Sequence, residues 1–192
     1  MGSSVNIGPV AAFNFRVLFS APSQEQTSLD SGDALAAAAT QAAQIVPSAP
    51  AAAIKAGFSE VSGLNSEVEI EDYREGGRNI APHRLPRWGR YPHLVLRRGI
   101  TTDTSLWDWW SDVITHSYTL AQGAPQRPFR RSGLILLDGV DHRVVAAWFV
   151  SNALPERLAG SGLNARSSEI AIETLELSHE GLFRLTNLPS GV

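Results

Sequence analysis

Five histidines, at positions 83, 93, 116, 142 and 179, are the side chains of widest chemical range in this chain of 192 residues. No two of them stand three or four residues apart, the spacing that lets one helical turn offer two ligands to a metal ion. Cysteine is absent, which removes thiolate metal sites, disulfides and cysteine nucleophiles together and leaves the redox compartment open. Asp138, Asp141 and His142 form the one acid/base cluster that a hydrolase would use. The dipeptide Asp138-Gly139 is a hairpin signal, however, and makes a solvated hairpin tip the simpler account.

Gly76-Gly77 followed by Arg78 begins like an anion nest, but it lacks the longer glycine pattern and the lysine of a phosphate loop, so it reads as a tight turn. Ser, His and Asp all occur without a Gly-x-Ser-x-Gly elbow. Glu67, Glu69 and Glu71 share one face of a strand, where adjacent carboxylates diverge too far to enclose a hard cation. Trp107, Trp109 and Trp110 could stack on a sugar or base, which is the basis of an alternative reading as a ligand-binding β-barrel module with an aromatic surface. Their interleaving with aliphatic residues favours core packing. The sequence thus predicts no catalytic, cofactor-binding or metal-ligating residue, and a protein that is not an enzyme.

The elements that would carry these residues are mostly strands. Residues 13–19 alternate, with Phe15, Val17 and Phe19 on one side and Arg16 on the other. From residue 20 to residue 55 the composition shifts, and 11 of the 20 residues in 34–53 are alanine. Asp30 or Ser31 is placed to cap a helix over about 33–46 that Pro47 ends, yet its methyl-rich face promises little burial, so the insert is expected to be dispensable for the fold. Residues 57–64 and 66–75 read as two strands joined by a short turn, with Val68 and Ile70 opposite the acidic row. Residues 76–92 show no periodicity and are expected to form an extended loop of unusual length, spanning about 73–91 as an assembly segment.

Residues 93–100 are strand-like, and residues 101–118 switch to helical period behind a cap at Asp103 or Thr104. Leu106, Trp107, Trp110, Val113 and Ile114, with Trp109 and Tyr118, are expected to face the core, while Asp108, Ser111, Asp112, Thr115 and His116 face solvent. Residues 133–137 and 143–150 are apolar runs on either side of Asp138-Gly139, and residues 169–178 alternate acidic and apolar. One domain over residues 1–192 follows: mainly β, a barrel or sandwich with one flanking outer α-helix.

Charge narrows the partners. Nineteen acidic residues against 16 basic ones give a formal net charge of -3, unlike a protein that coats nucleic acid. The start of the chain has no basic-then-apolar signal pattern, and no apolar run approaches the roughly 20 residues of a membrane span, so a soluble protein with no membrane span is expected.

Five blocks raise the reading above composition: GFSEVSGL, EDYREGGRN, LVLRRGITTDTSLWDWW, SGLILLDG and LNARSSEIAIETLELSHEGL. In order and spacing, over about residues 13–183, they resemble the contractile tail tube protein family of phage tails and phage-tail-like injection systems, whose fold is shared with the Hcp ring protein of type VI secretion. The resemblance implies hexameric rings with a continuous inner β-barrel, stacked into a hollow tube inside a contractile sheath. Implied partners are further copies of the chain, the sheath, baseplate or spike and tube-terminating proteins, and lumenal effector cargo or DNA. The implied setting is assembly in the bacterial cytoplasm into a released particle, a cell-anchored injection system or a virion.

Within that frame Tyr73, Arg74, Glu75, Arg78, Asn79, Arg84, Arg87, Trp88 and Arg90 are expected at subunit and ring interfaces, and Glu67, Glu69 and Glu71 at the lining of a lumen that is net acidic or neutral. The sequence departs from the family in the insert at 20–55 and in LPRWGRY, where a glycine is expected directly after the proline.

Overall fold

Several strands of this chain bear apolar residues on both faces, and both faces must be covered. In the computed structural model, which describes residues 14–20, 22, 34–45, 54–74, 82–121, 129–140, 143–162, 166 and 170–185, each face has its own cover. The described elements are β1 (Phe15–Phe19), α1 (Ala34–Ile45), β2 (Ile54–Ala56), β3 (Glu60–Ser62), β4 (Glu67–Tyr73), β5 (His83–Arg90), β6 (Leu94–Gly99), α2 (Ser105–Ala121), β7 (Arg131–Asp138), β8 (Val144–Gly160), β9 (Ile172–Ser178) and β10 (Gly181–Leu185). Eight strands form one sheet in the order β2-β1-β7-β8-β9-β6-β3, with β10 also on β8, while β4 and β5 pair only with each other.

The 17-residue strand β8 belongs to both halves of the sheet. Its first part pairs with β7 and β10 and its last part with β9. Asn152, at φ 50, turns the backbone between them, and its amide donates to Glu180 Oε2 at 2.7 Å. The sheet therefore bends over, and Val17, Phe19, Ile135 and Val150 from one half share a core with Leu94, Leu96, Leu175 and Leu177 from the other. Leu106 and Trp109 of α2 join that core. The fold is mainly β with a flanking helix, as expected, and the described strands leave the sheet open, with β2 and β3 at its ends.

Four expectations change. The insert is not peripheral, because Ala38, Ala42 and Ile45 of α1 are buried against Leu18, Leu134, Leu136, Ala147 and Phe149, the opposite face of the sheet. Alanine suits this face because it lets a helix lie close to a strand surface that already carries leucine and phenylalanine. Replacing residues 21–53 with a short Gly-Ser turn is accordingly expected to give a molten or insoluble product, seen as lost near-UV dichroism with dye binding to exposed apolar surface.

The two strands at 57–64 and 66–75 do not pair; β3 pairs with β6 and β4 with β5. The expected long loop is instead strand over His83–Arg90, whose Pro86 is tolerated because β5 is an edge strand with one partner. The buried stripe of α2 is Leu106, Trp109 and His116, with Val113 packed beside it. Trp107 and Ile114 are about half exposed and Trp110 only partly buried, so the helix is rotated by about one residue from the expected facing. His116 earns its place inside by packing on Phe129 at 4.1 Å between ring centroids.

Candidate assembly surfaces

The β4–β5 hairpin projects from the sheet as the continuation of two of its strands. β3 runs into β4 and β5 into β6, so the ladder between β3 and β6 is interrupted at the joint and resumes as a separate ribbon. The joint requires a glycine: Gly63 has φ +88, and a Cβ there would lie 2.1 Å from the His93 carbonyl oxygen. On the other leg Tyr91 packs on His179, 5.5 Å between ring centroids.

One face of the ribbon is a ladder of opposite charges. Arg90 Nη2 lies 3.1 Å from Glu69 Oε2 and Arg87 Nε 3.3 Å from Glu71 Oε2, with Glu67 directly across from Arg90 in register. The acidic row is therefore counter-charged. The other face is open and apolar only near the root, where Val68 and Ile70 are 56% and 52% exposed with Pro86 opposite Ile70; further out it carries Asp72 across from Arg84. Alternation in β4 had marked these two residues out, but nothing local could tell that their side of the ribbon lacks a cover. Arg84 meets Asp72 only at 3.7 Å, and Tyr73, Arg74 and Trp88 are exposed. Glu75, Arg78 and Asn79, like Asp141, His142 and the Gly76-Gly77 turn, lie outside the described residues.

Beneath the hairpin sits a titratable cluster. His179 is half-buried, and that burial, aided by nearby His93, holds its pKa below the ordinary histidine value. His93 Nδ1 approaches Glu156 Oε2 at 3.4 Å, and Ser178 donates to the same oxygen at 3.0 Å. The folded protein thus prefers neutral His179, whereas the unfolded chain takes up the proton near pH 6.5. Stability is expected to fall as pH drops below that value, and His179→Gln should flatten this part of a melting-temperature profile measured from pH 7.5 to 5.

A second polar network ties α2 to the sheet. Arg98 and Glu173, 2% and 4% exposed, form a buried ion pair. Arg98 also donates to the Asp103 carboxylate at 3.0 Å and to its carbonyl at 2.9 Å. Trp107 Nε1 donates to the other Glu173 oxygen at 3.1 Å. Asp103 caps the helix as expected, accepting from the Ser105 amide and hydroxyl at 3.1 and 2.7 Å; the Ser105 hydroxyl above all, with Arg98, keeps its carboxyl below the usual range.

Asp138, expected at a solvated tip, is buried and held by Arg16, whose Nε and Nη2 donate at 2.7 and 2.8 Å. Among the described residues no group of three or more His, Cys, Asp or Glu is arranged to hold a metal ion. No described helix is long and apolar enough to cross a membrane. The three tryptophans make no common platform: Trp109 is fully buried, Trp110 partly, and Trp107 half exposed.

Comparison with known proteins agrees with a structural role. The family profile of T4-like virus tail tube protein gp19 matches residues 11–183. No curated protein matches the chain. Among solved structures, a chain of the anti-feeding prophage (AFP) baseplate superposes with a TM-score of 0.63 at 23% identity, covering 93% of this chain and 97% of that one. A chain of the PVC sheath-tube complex, an extracellular contractile injection system in the extended state, gives 0.62 at 20% identity, with 92% and 91% covered. The AFP tube terminating cap contributes a third, at 0.63 and 19% identity, covering 93% and 92%. At such identities the likeness is one of fold. The family profile, covering all but the two ends of the chain, carries the assignment: this protein belongs to the T4-like virus tail tube protein gp19 family and is a structural tube subunit.

Proposed function

We propose that this chain forms hexameric rings that stack head-to-tail into the inner tube of a contractile tail or injection particle, with the β4–β5 hairpin joining the copies. The hairpin is the observation that supports this. A two-stranded ribbon alone is marginal in water, and this one leaves Val68, Ile70 and Trp88 exposed, so its order requires cover from another chain. Tyr73, Arg74, Glu75, Arg78, Asn79, Arg84, Arg87, Trp88 and Arg90 are the interface residues in this reading. Ring closure pairs the free outer edges of β2 and β3 into a continuous inner barrel and removes two templates for aggregation.

The ladder of Glu67, Glu69 and Glu71 with Arg87 and Arg90 is assigned to the channel wall, as a charge-balanced lining. A lining of that kind holds neither polyanions nor basic cargo by net charge, which suits a conduit for effector protein or DNA. The solved relatives come from sheath-tube, baseplate and cap assemblies, and the same partner types are proposed here: sheath, baseplate or spike, and tube terminator. The protein acts mechanically, without catalysis: sheath contraction drives the tube through an envelope. It is assembled in the bacterial cytoplasm.

Negative-stain imaging of the purified protein is expected to show rings or tubes. Replacing residues 77–90 with a flexible Gly-Ser linker should leave a folded subunit with an unchanged core melting transition and no tubes; tubes of normal length from that variant would sink the reading.

A further inference from the structure

Among the described strands β4 and β5 pair only with each other, so the hairpin's hold on the subunit lies at its root. Both legs pass through one small cluster there. Gly63, on the way into β4, lies against the His93 carbonyl. Tyr91, on the way out of β5, sets its ring on His179, 5.5 Å between centroids and tilted by 44°. His179 occupies the turn between β9 and β10, so this contact fastens the second leg to the body of the subunit.

The imidazole at that point is poorly provided for. Both ring nitrogens of His179 are shut off from solvent, and neither reaches a hydrogen-bond partner among the described residues. The charged groups around it are engaged elsewhere. On the hairpin leg, Arg90 lies on Glu69 at 3.1 Å. On β8, Glu156 is approached by His93 Nδ1 at 3.4 Å and accepts from the Ser178 hydroxyl at 3.0 Å. In the turn itself, Glu180 accepts from Asn152 at 2.7 Å and from Arg130 at 3.0 Å. The backbone of Gly181 and Pro92 favours a charged ring, but burial outweighs it and His93 adds to the opposition. A cation there gains only a weak attraction for the partly exposed ring of Tyr91.

We propose that the seat of Tyr91 on His179 is a proton-operated latch: a proton at His179 frees the Tyr91 leg, and the β4–β5 hairpin loosens at its root while the sheet beneath stays folded. A charged imidazole needs water or two acceptors, and it reaches water once Tyr91 moves off. Linkage fixes the direction. The latched form resists the proton and the open form takes it up near pH 6.5, so opening becomes easier as pH falls below that value, by up to about tenfold per pH unit until the latched form is itself protonated. One consequence rests on reading the hairpin as an assembly element: assembly is favoured at neutral pH and weakened in acid.

Hydrogen-deuterium exchange of the subunit, diluted below the concentration at which it assembles, tests the latch without reference to assembly. After correction for the intrinsic pH dependence of exchange, the protected amides of residues 83–91 are expected to lose protection by up to about tenfold between pH 7.5 and 5.5, while residues 94–98 and 173–177 keep theirs. His179→Phe keeps a ring against Tyr91 that takes no proton and should abolish this response; His179→Gln replaces it if the phenylalanine variant does not fold. His93→Gln should retain the response. The link also runs backwards: in Tyr91→Ala the His179 ring, followed by proton NMR, should titrate at a higher pH than in the unmodified protein. A hairpin already unprotected at pH 7.5, protection that is unchanged or rises in acid, or a response kept by the His179 variants each overturns the proposal. If exchange behaves as expected while tubes form equally well at both pH values, the latch stands and the reading of the hairpin as an assembly element falls.

Discussion

Trp109→Ala is expected to destabilise the subunit by about 3 to 5 kcal/mol, the usual range for truncating a packed aromatic. Trp109 is fully buried in the core between the two halves of the sheet. Its ring meets Phe19 at 5.1 Å between centroids, the Arg131 guanidinium lies 5.4 Å from its centre, and Nε1 donates to the Phe129 carbonyl at 2.7 Å. Alanine would remove all three contacts, strand that carbonyl and leave a void where β1, β7, β8 and α2 converge. For a chain of this length the loss corresponds to a fall in melting temperature of about 6 to 20 °C. Trp107→Ala and Trp110→Ala should each have clearly smaller effects, because neither side chain is fully enclosed. Thermal melts of the three variants as unassembled subunits check the order, and equal losses at 107 and 109 would contradict the helix facing.

Arg98→Met is expected to lose a comparable amount, about 3 to 5 kcal/mol, by a different route. It removes the cation beside Glu173, which at 4% exposure then keeps, among the described residues, the Trp107 indole as its side-chain donor. Glu173→Leu should be milder, since Arg98 retains both the carboxylate and the carbonyl of Asp103. Converting both at once removes the buried charges together, so the double variant should recover much of the loss and the cycle should be strongly non-additive. Urea unfolding of the four proteins measures this. Additive losses would mean that the pair is not coupled through the buried contact.

These two sites mark where reading the chain in one dimension stops. The apolar-acidic alternation of residues 169–178 correctly announced a strand, but Glu173 shares its buried face with Leu175 and Leu177. Only the arrival of Arg98 from β6, paired two strands along from β8, makes that position tenable. Asp138 repeats the pattern with Arg16 of β1, 122 residues away. The three tryptophans of α2 are close enough in sequence that hydropathy alone could not choose which one faces inward. That choice falls to the sheet, whose cavity between Phe19 and Val150 accepts position 109.

What the sequence determined by itself were the local periods and the breaks between them. Period-two runs became strands, the aromatic helix formed behind its Asp103 cap, the alanine helix formed in the insert, and five blocks in order sufficed to name the family. Those features depend on sterics and solvation within a few residues, so they are written locally. Tertiary structure alone decided which strands pair and which faces are covered. It joined β3 to β6, set β4 and β5 apart as a ribbon, and put an alanine face against the outer leucines and phenylalanine of the sheet. Pairing and burial are settled by competition among distant segments for the same edges and surfaces, and a residue's neighbours in sequence do not record the outcome.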